Sequence, residues 1–77
     1  MESIDERINR IFCEIFGISE NQIADSVSYN SLETWDSLRH LQLIAALEKE
    51  FTIKFKMDDV INMENFKLVR DTVKQYL

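Results

Sequence analysis

Apolar residues recur every three or four positions in separate stretches of this 77-residue chain. That spacing gathers side chains on one face of an α-helix and scatters them on a strand. Ile4, Ile8, Ile11, Phe12, Ile15 and Phe16 make the first stripe. Ser3-Ile4-Asp5-Glu6 ahead of it has the form of a capping box, with Ser3 as N-cap and Glu6 reaching back. Gly17 behind it is a natural stop, because glycine takes the left-handed backbone without steric penalty. These signals predict a helix over about residues 4 to 16. A second stripe, Leu38, Leu41, Ile44, Ala45, Leu47 and Phe51, follows Asp36, whose carboxylate suits the free N–H groups of a first turn. It predicts a helix from about 37 to 51. A third, Phe66, Val69, Val73, Tyr76 and Leu77, follows Asn65 as a cap, and Lys74 complements the dipole near its end.

The connections are less regular. Residues 17 to 35 are rich in Ser, Asn, Asp and Glu and form a long loop for so small a protein. Ser19-Glu20-Asn21-Gln22 opens a short turn before Ile23 and Ala24, and Val27, Tyr29 and Leu32 are expected to press the loop onto the helices. Trp35 is expected to pack. From Phe51 to Met57 apolar and polar residues alternate, which alone suggests a strand. No second strand pattern exists to pair with it, and a lone strand leaves its backbone groups unpaired. An extended connection with Ile53 and Phe55 tucked inward is expected instead. Asp58 then opens a short helix through Met63. The expected architecture is all-α: three main helices and one short helix in an irregular bundle, with a long loop between helices one and two. Residues 1–77 are expected to form one domain, since the chain is too short for a second core.

Fourteen acidic against nine basic residues give a formal charge of −5, which opposes nucleic-acid binding and with it a helix-turn-helix reading. The same balance keeps the domain soluble and steers encounters with basic surfaces of other proteins. No apolar run approaches a membrane span and no signal pattern opens the chain, which suits the cytoplasm and no membrane role. Cys13 is the only cysteine, so no internal disulfide forms, and without a basic cluster beside it the thiol reads as partly buried and unreactive. Asp58 and Asp59 lack the further carboxylates an oxygen cage needs, so no metal site is expected. One glycine and no proline leave no glycine-rich phosphate loop.

Ser37 stands at the start of the second helix, where free N–H groups and the positive end of the helix dipole favour a phosphate. Many helices begin with Asp-Ser for capping alone, and local chemistry leaves both readings open. Asp36, Ser37 and His40 lie close together, yet no oxyanion hole or nucleophile elbow accompanies them, so hydrolysis is not expected.

Asp36-Ser37-Leu38, with the leucine-rich run to Leu47-Glu48-Lys49-Glu50-Phe51, resembles the signature of acyl carrier proteins and the related peptidyl carrier domains. The resemblance spans nearly the whole chain. It implies an acyl-carrier-like bundle and a 4'-phosphopantetheine arm, donated by coenzyme A, on Ser37. It implies no catalysis by the chain itself. Its partners would be a phosphopantetheinyl transferase, an acyl-loading ligase or acyltransferase, and condensing or modifying enzymes of fatty-acid, polyketide or related biosynthesis. It further implies docking through helix two, for which Trp35, Asp36, Leu38, Arg39, His40 and Gln42 are candidate contacts, and His40 is expected to be exposed near the arm. Many fatty-acid carriers are acidic just after the serine, whereas this chain has Arg39 and Gln42, with Glu48 and Glu50 further along. That departure points to a specialised carrier, and a freestanding monomer is expected. Leu41, Ile44, Ala45 and Leu47 either line a space for an acyl chain or are simply core. The alternatives are an aminoacyl or peptidyl carrier of the same fold and an unmodified helical interaction module.

Overall fold

The computed structural model describes residues 1–77. Four α-helices follow in order: α1 (Ile4–Phe16), α2 (Ser37–Phe51), α3 (Met57–Asn62) and α4 (Phe66–Gln75), with a 3₁₀ turn at Glu20–Gln22. Both halves of the α1 capping box form: Ser3 Oγ accepts from the Glu6 N–H, and the Glu6 carboxylate accepts from the Ser3 N–H. Gly17 closes the helix with φ 67°. Asn65 caps α4 by accepting the Leu68 N–H at 2.8 Å. No helix is long and apolar enough to cross a membrane.

One core joins the elements. Ile8, Ile11, Phe12 and Phe16 of α1 meet Leu43, Ile44 and Leu47 of α2, Phe66, Val69 and Val73 of α4, and Trp35 and Met63 from the connections. Aromatic edges organise its centre: Phe12 meets both Trp35 and Phe66 edge-on, at 5.4 and 4.9 Å between centroids. Ile53 and Phe55 are partly buried in the extended connection, as expected.

Some details depart from the sequence expectation. The α2 stripe splits: Leu43, Ile44 and Leu47 face the core, whereas Leu38, Leu41 and Ala45 face water. The helix has more apolar positions than one face can hold, and at 3.6 residues per turn the two sets fall on opposite sides. Ile4 and Leu77 are exposed at the fraying ends of their stripes. The short helix begins at Met57 and so places Asp58 and Asp59 in its first turn, where their charge suits the dipole. The α2 boundary at Phe51 falls where expected, and Thr52 behind it caps the helix in the left-handed region, φ 55°, a conformation few β-branched residues adopt.

The long first loop is held mainly by its backbone. Tyr29 N–H donates to the Glu64 carbonyl at 3.0 Å, and Phe66 N–H to the Val27 carbonyl at 2.8 Å. These bonds fix the loop against the α3–α4 junction and pair otherwise unmatched groups. Val27 and Leu32 pack on the core as expected, but the Tyr29 side chain is exposed.

Candidate functional site

The start of α2 is built by a cap and a wedge. Asp36 accepts the Arg39 N–H on its side chain and the His40 N–H on its carbonyl, both at 2.8 Å. The Ser37 and Leu38 N–H groups and the Ser37 hydroxyl make no hydrogen bond within the chain. Ser37 is exposed. A hydroxyl in water, next to two free amides at the positive end of a fifteen-residue helix, is placed to carry a phosphate ester.

Immediately before the cap, Trp35 plunges into the core and is 2 % exposed. Its indole N–H donates to His40 Nδ1 at 2.9 Å. An indole can only donate, so His40 Nδ1 accepts, and the ring proton sits on Nε2. That N–H donates to the Val60 carbonyl of α3 at 2.8 Å. The two rings stack, with 18° between planes and 6.0 Å between centroids. One imidazole thus ties the loop ahead of the serine to the first turn of α2 and to α3.

This geometry corrects two expected docking contacts. Trp35 is core, inaccessible to a partner in this conformation. His40 is part-buried, and both its nitrogens are engaged, so it neither faces the solvent freely nor takes a proton from Ser37. A serine–histidine pairing is closed off by those two bonds. Asp36 is committed through one oxygen to the cap. Leu38 and Gln42 are exposed and Arg39 partly so, all on the first turns of α2.

An open groove of about 610 Å³ runs from Ser37 between α2, α3 and the first loop. Leu41, Met57, Val60, Ile61 and Met63 supply its apolar wall, and Ser28, Asn30, Glu64 and Asn65 its polar one. Of the residues read as either acyl-lining or core, Ile44 and Leu47 lie in the closed core, and only Leu41 borders this groove. Sequence reasoning missed the polar wall, because the loop and the α3–α4 junction are brought together by backbone bonds that carry no side-chain pattern. It also missed the Trp35–His40–Val60 chain. The five-residue interval between Trp35 and His40 was visible, but the carbonyl completing the chain belongs to a distant segment.

Elsewhere, Asp59 accepts from the Tyr76 hydroxyl, which raises that phenol above its usual range. Burial, then the charges of Glu20 and Glu14, raises the Cys13 thiol, so it is a poor nucleophile.

The family described as "phosphopantetheine attachment site" matches residues 6–73. An acyl carrier protein of Buchnera aphidicola subsp. Baizongia pistaciae (strain Bp) is 30% identical over 78 residues, spanning 100% of this chain and 99% of its own. The solution NMR structure of a holo acyl carrier protein from Geobacter metallireducens superposes with a TM-score of 0.82 at 29% identity. That match covers 99% of this chain and 86% of the other.

Proposed function

Since this chain belongs to the acyl carrier protein family, we propose that Ser37 is the residue that takes the 4'-phosphopantetheine arm. The observation that carries the proposal is the exposed, unbonded Ser37 hydroxyl at a capped helix start, opening onto a groove. The arm, once bound, supplies a terminal thiol on which acyl groups are held as thioesters.

The residues present fit such a group. Ser37 Oγ would hold it through a phosphodiester, with the free Ser37 and Leu38 amides close to the phosphate. Asp36 caps the first turn, and the Trp35–His40–Val60 chain links α2 to α3 beside the groove. Attachment is a substitution at the β-phosphorus of coenzyme A. Ser37 Oγ forms the new O–P bond, the bond to the 3',5'-ADP leaving group breaks, and the hydroxyl proton passes to a base of the transferase. The chain acts as carrier over residues 1–77, offering its cargo to loading, condensing or modifying enzymes of a fatty-acid, polyketide or related pathway in the cytoplasm.

The test is intact mass before and after incubation with coenzyme A, Mg²⁺ and a broad-specificity phosphopantetheinyl transferase. The wild type should gain one arm and Ser37→Ala none while keeping its helical circular dichroism. Loading of the Ser37→Ala variant would refute the assignment.

A further inference from the structure

The serine at the head of α2 has no spacer. An enzyme that modifies it has to bring its phosphorus-bearing substrate to Ser37 Oγ on the protein body itself. Any such enzyme covers the first turns of α2 and the neighbouring side of α3, and what it meets there differs from the rest of the molecule. Leu38, Leu41, Met57 and Ile61 are exposed by 66%, 60%, 71% and 64%. Four large apolar side chains around one reactive hydroxyl lose water favourably only when another surface covers them. Along the outward stripe of α2 run Leu38, Leu41, Gln42, Ala45 and Lys49, with Arg39 on its flank and no carboxylate. The two acids of this helix are turned to other tasks. Glu48 accepts the Phe55 N–H at 2.9 Å, and Glu50 is held by Arg7 at 2.8 Å.

The cations of the chain divide by location. Arg7, Arg10, Lys67, Arg70 and Lys74, on α1 and α4, are each in an ion pair. Arg39, Lys49, Lys54 and Lys56 are in none, and all four lie on α2 or on its connection to α3. A molecule of formal charge −5 therefore presents one face that is apolar and cationic. The exposed carboxylate at the head of this face, Asp36, is turned to the cap by accepting the Arg39 N–H, and Asp58 and Glu64, also in no ion pair, belong to α3 and the turn after it. We propose that the phosphopantetheinyl transferase acting on this chain docks on α2 through a surface apolar at its centre and bearing carboxylates opposite Arg39 and Lys49. The inference rests on Ser37 being the attachment residue. Those two cations stand about 15 Å apart along the helix axis at 1.5 Å per residue, which sets the spacing of the partner's acidic groups.

The experiment is steady-state transfer of the arm from coenzyme A to the unmodified protein by the transferase of the same organism. Wild type, Arg39→Glu, Lys49→Glu and Lys74→Glu are compared from about 50 to about 300 mM salt. Lys74→Glu makes the same change in net charge on α4, far along the chain from the serine, and circular dichroism verifies that each variant is folded. Arg39→Glu and Lys49→Glu should raise KM roughly tenfold with kcat little changed, and wild-type KM should rise with salt. Lys74→Glu should stay within about twofold of wild type. A lowered KM for the α2 variants, equal effects from all three, or no effect from either α2 variant would overturn the proposal. Absence of transfer to the wild type, while a control carrier is loaded, would instead defeat the attachment reading beneath it.

Discussion

Residue by residue, His40 has the most to do near the serine. It is the only acceptor of the buried Trp35 indole N–H and a donor to the Val60 carbonyl. His40→Ala should leave that indole donor buried and unpaired, a loss of about 1–3 kcal/mol that adds to the lost ring packing. Urea denaturation checks this, and an unchanged midpoint would show that the bond chain does not support the fold. Ser37 is the opposite case: its exposed hydroxyl makes no hydrogen bond in the chain, so its replacement by alanine should leave stability unchanged. Both residue types were plain in the sequence. The Asp36 cap and the exposed position of Ser37 were legible because capping is local, decided within three or four residues. His40 read as exposed because its second partner, Val60, is twenty residues away, beyond the reach of helical periodicity.

At the scale of elements, helix α2 serves two environments. Its core face is Leu43, Ile44 and Leu47, and its outer face keeps Leu38 and Leu41 in water beside the serine. The apolar content of α2 was read as a single stripe, since spacing alone cannot say which apolar residues find a neighbour. The helix start depends on Asp36, which accepts from Arg39 N–H at 2.8 Å. Asp36→Ala should destabilise the protein by about 1 kcal/mol by leaving first-turn donors without their side-chain partner. Thermal melting followed at 222 nm tests this, and a melting temperature equal to wild type would assign the cap no energetic role. At its other end the left-handed Thr52 does what Gly17 does for α1. No residue type announced that stop. Its N–H bonds back to the Glu48 carbonyl, and Ile53 is drawn inward behind it.

For the molecule as a whole, the paired charges govern response to pH. Glu50 is held below the usual carboxylate range first by its hydrogen bond to Arg7 and also by Arg10; Asp71 is lowered chiefly by Lys67, and Glu6 by Ser3. A carboxylate whose folded pKa is depressed adds stability above its unfolded pKa, and that stability is lost as pH falls through the folded value. The urea midpoint should therefore be flat near neutrality and drop below about pH 4. Glu50→Gln should lower the midpoint at pH 7 and converge with wild type in acid. A constant difference between the two across that range would remove Glu50 from the linkage.

The sequence by itself determined the main helices, the N-caps of α1, α2 and α4 and the residue at the head of α2, because each depends on neighbours three or four positions apart. It also determined the acidic balance and the family, whose signature is a continuous run from Asp36 to Phe51. Only the tertiary structure decided which apolar residues of α2 face water, that Trp35 and His40 lock α2 to α3, and that every ion-paired Arg or Lys lies on α1 or α4. The first two outcomes depend on segments twenty or more residues apart meeting through backbone carbonyls and shared burial, whereas the ion pairs join distant partners, such as Arg70 and Asp25, as well as near ones, such as Lys67 and Asp71.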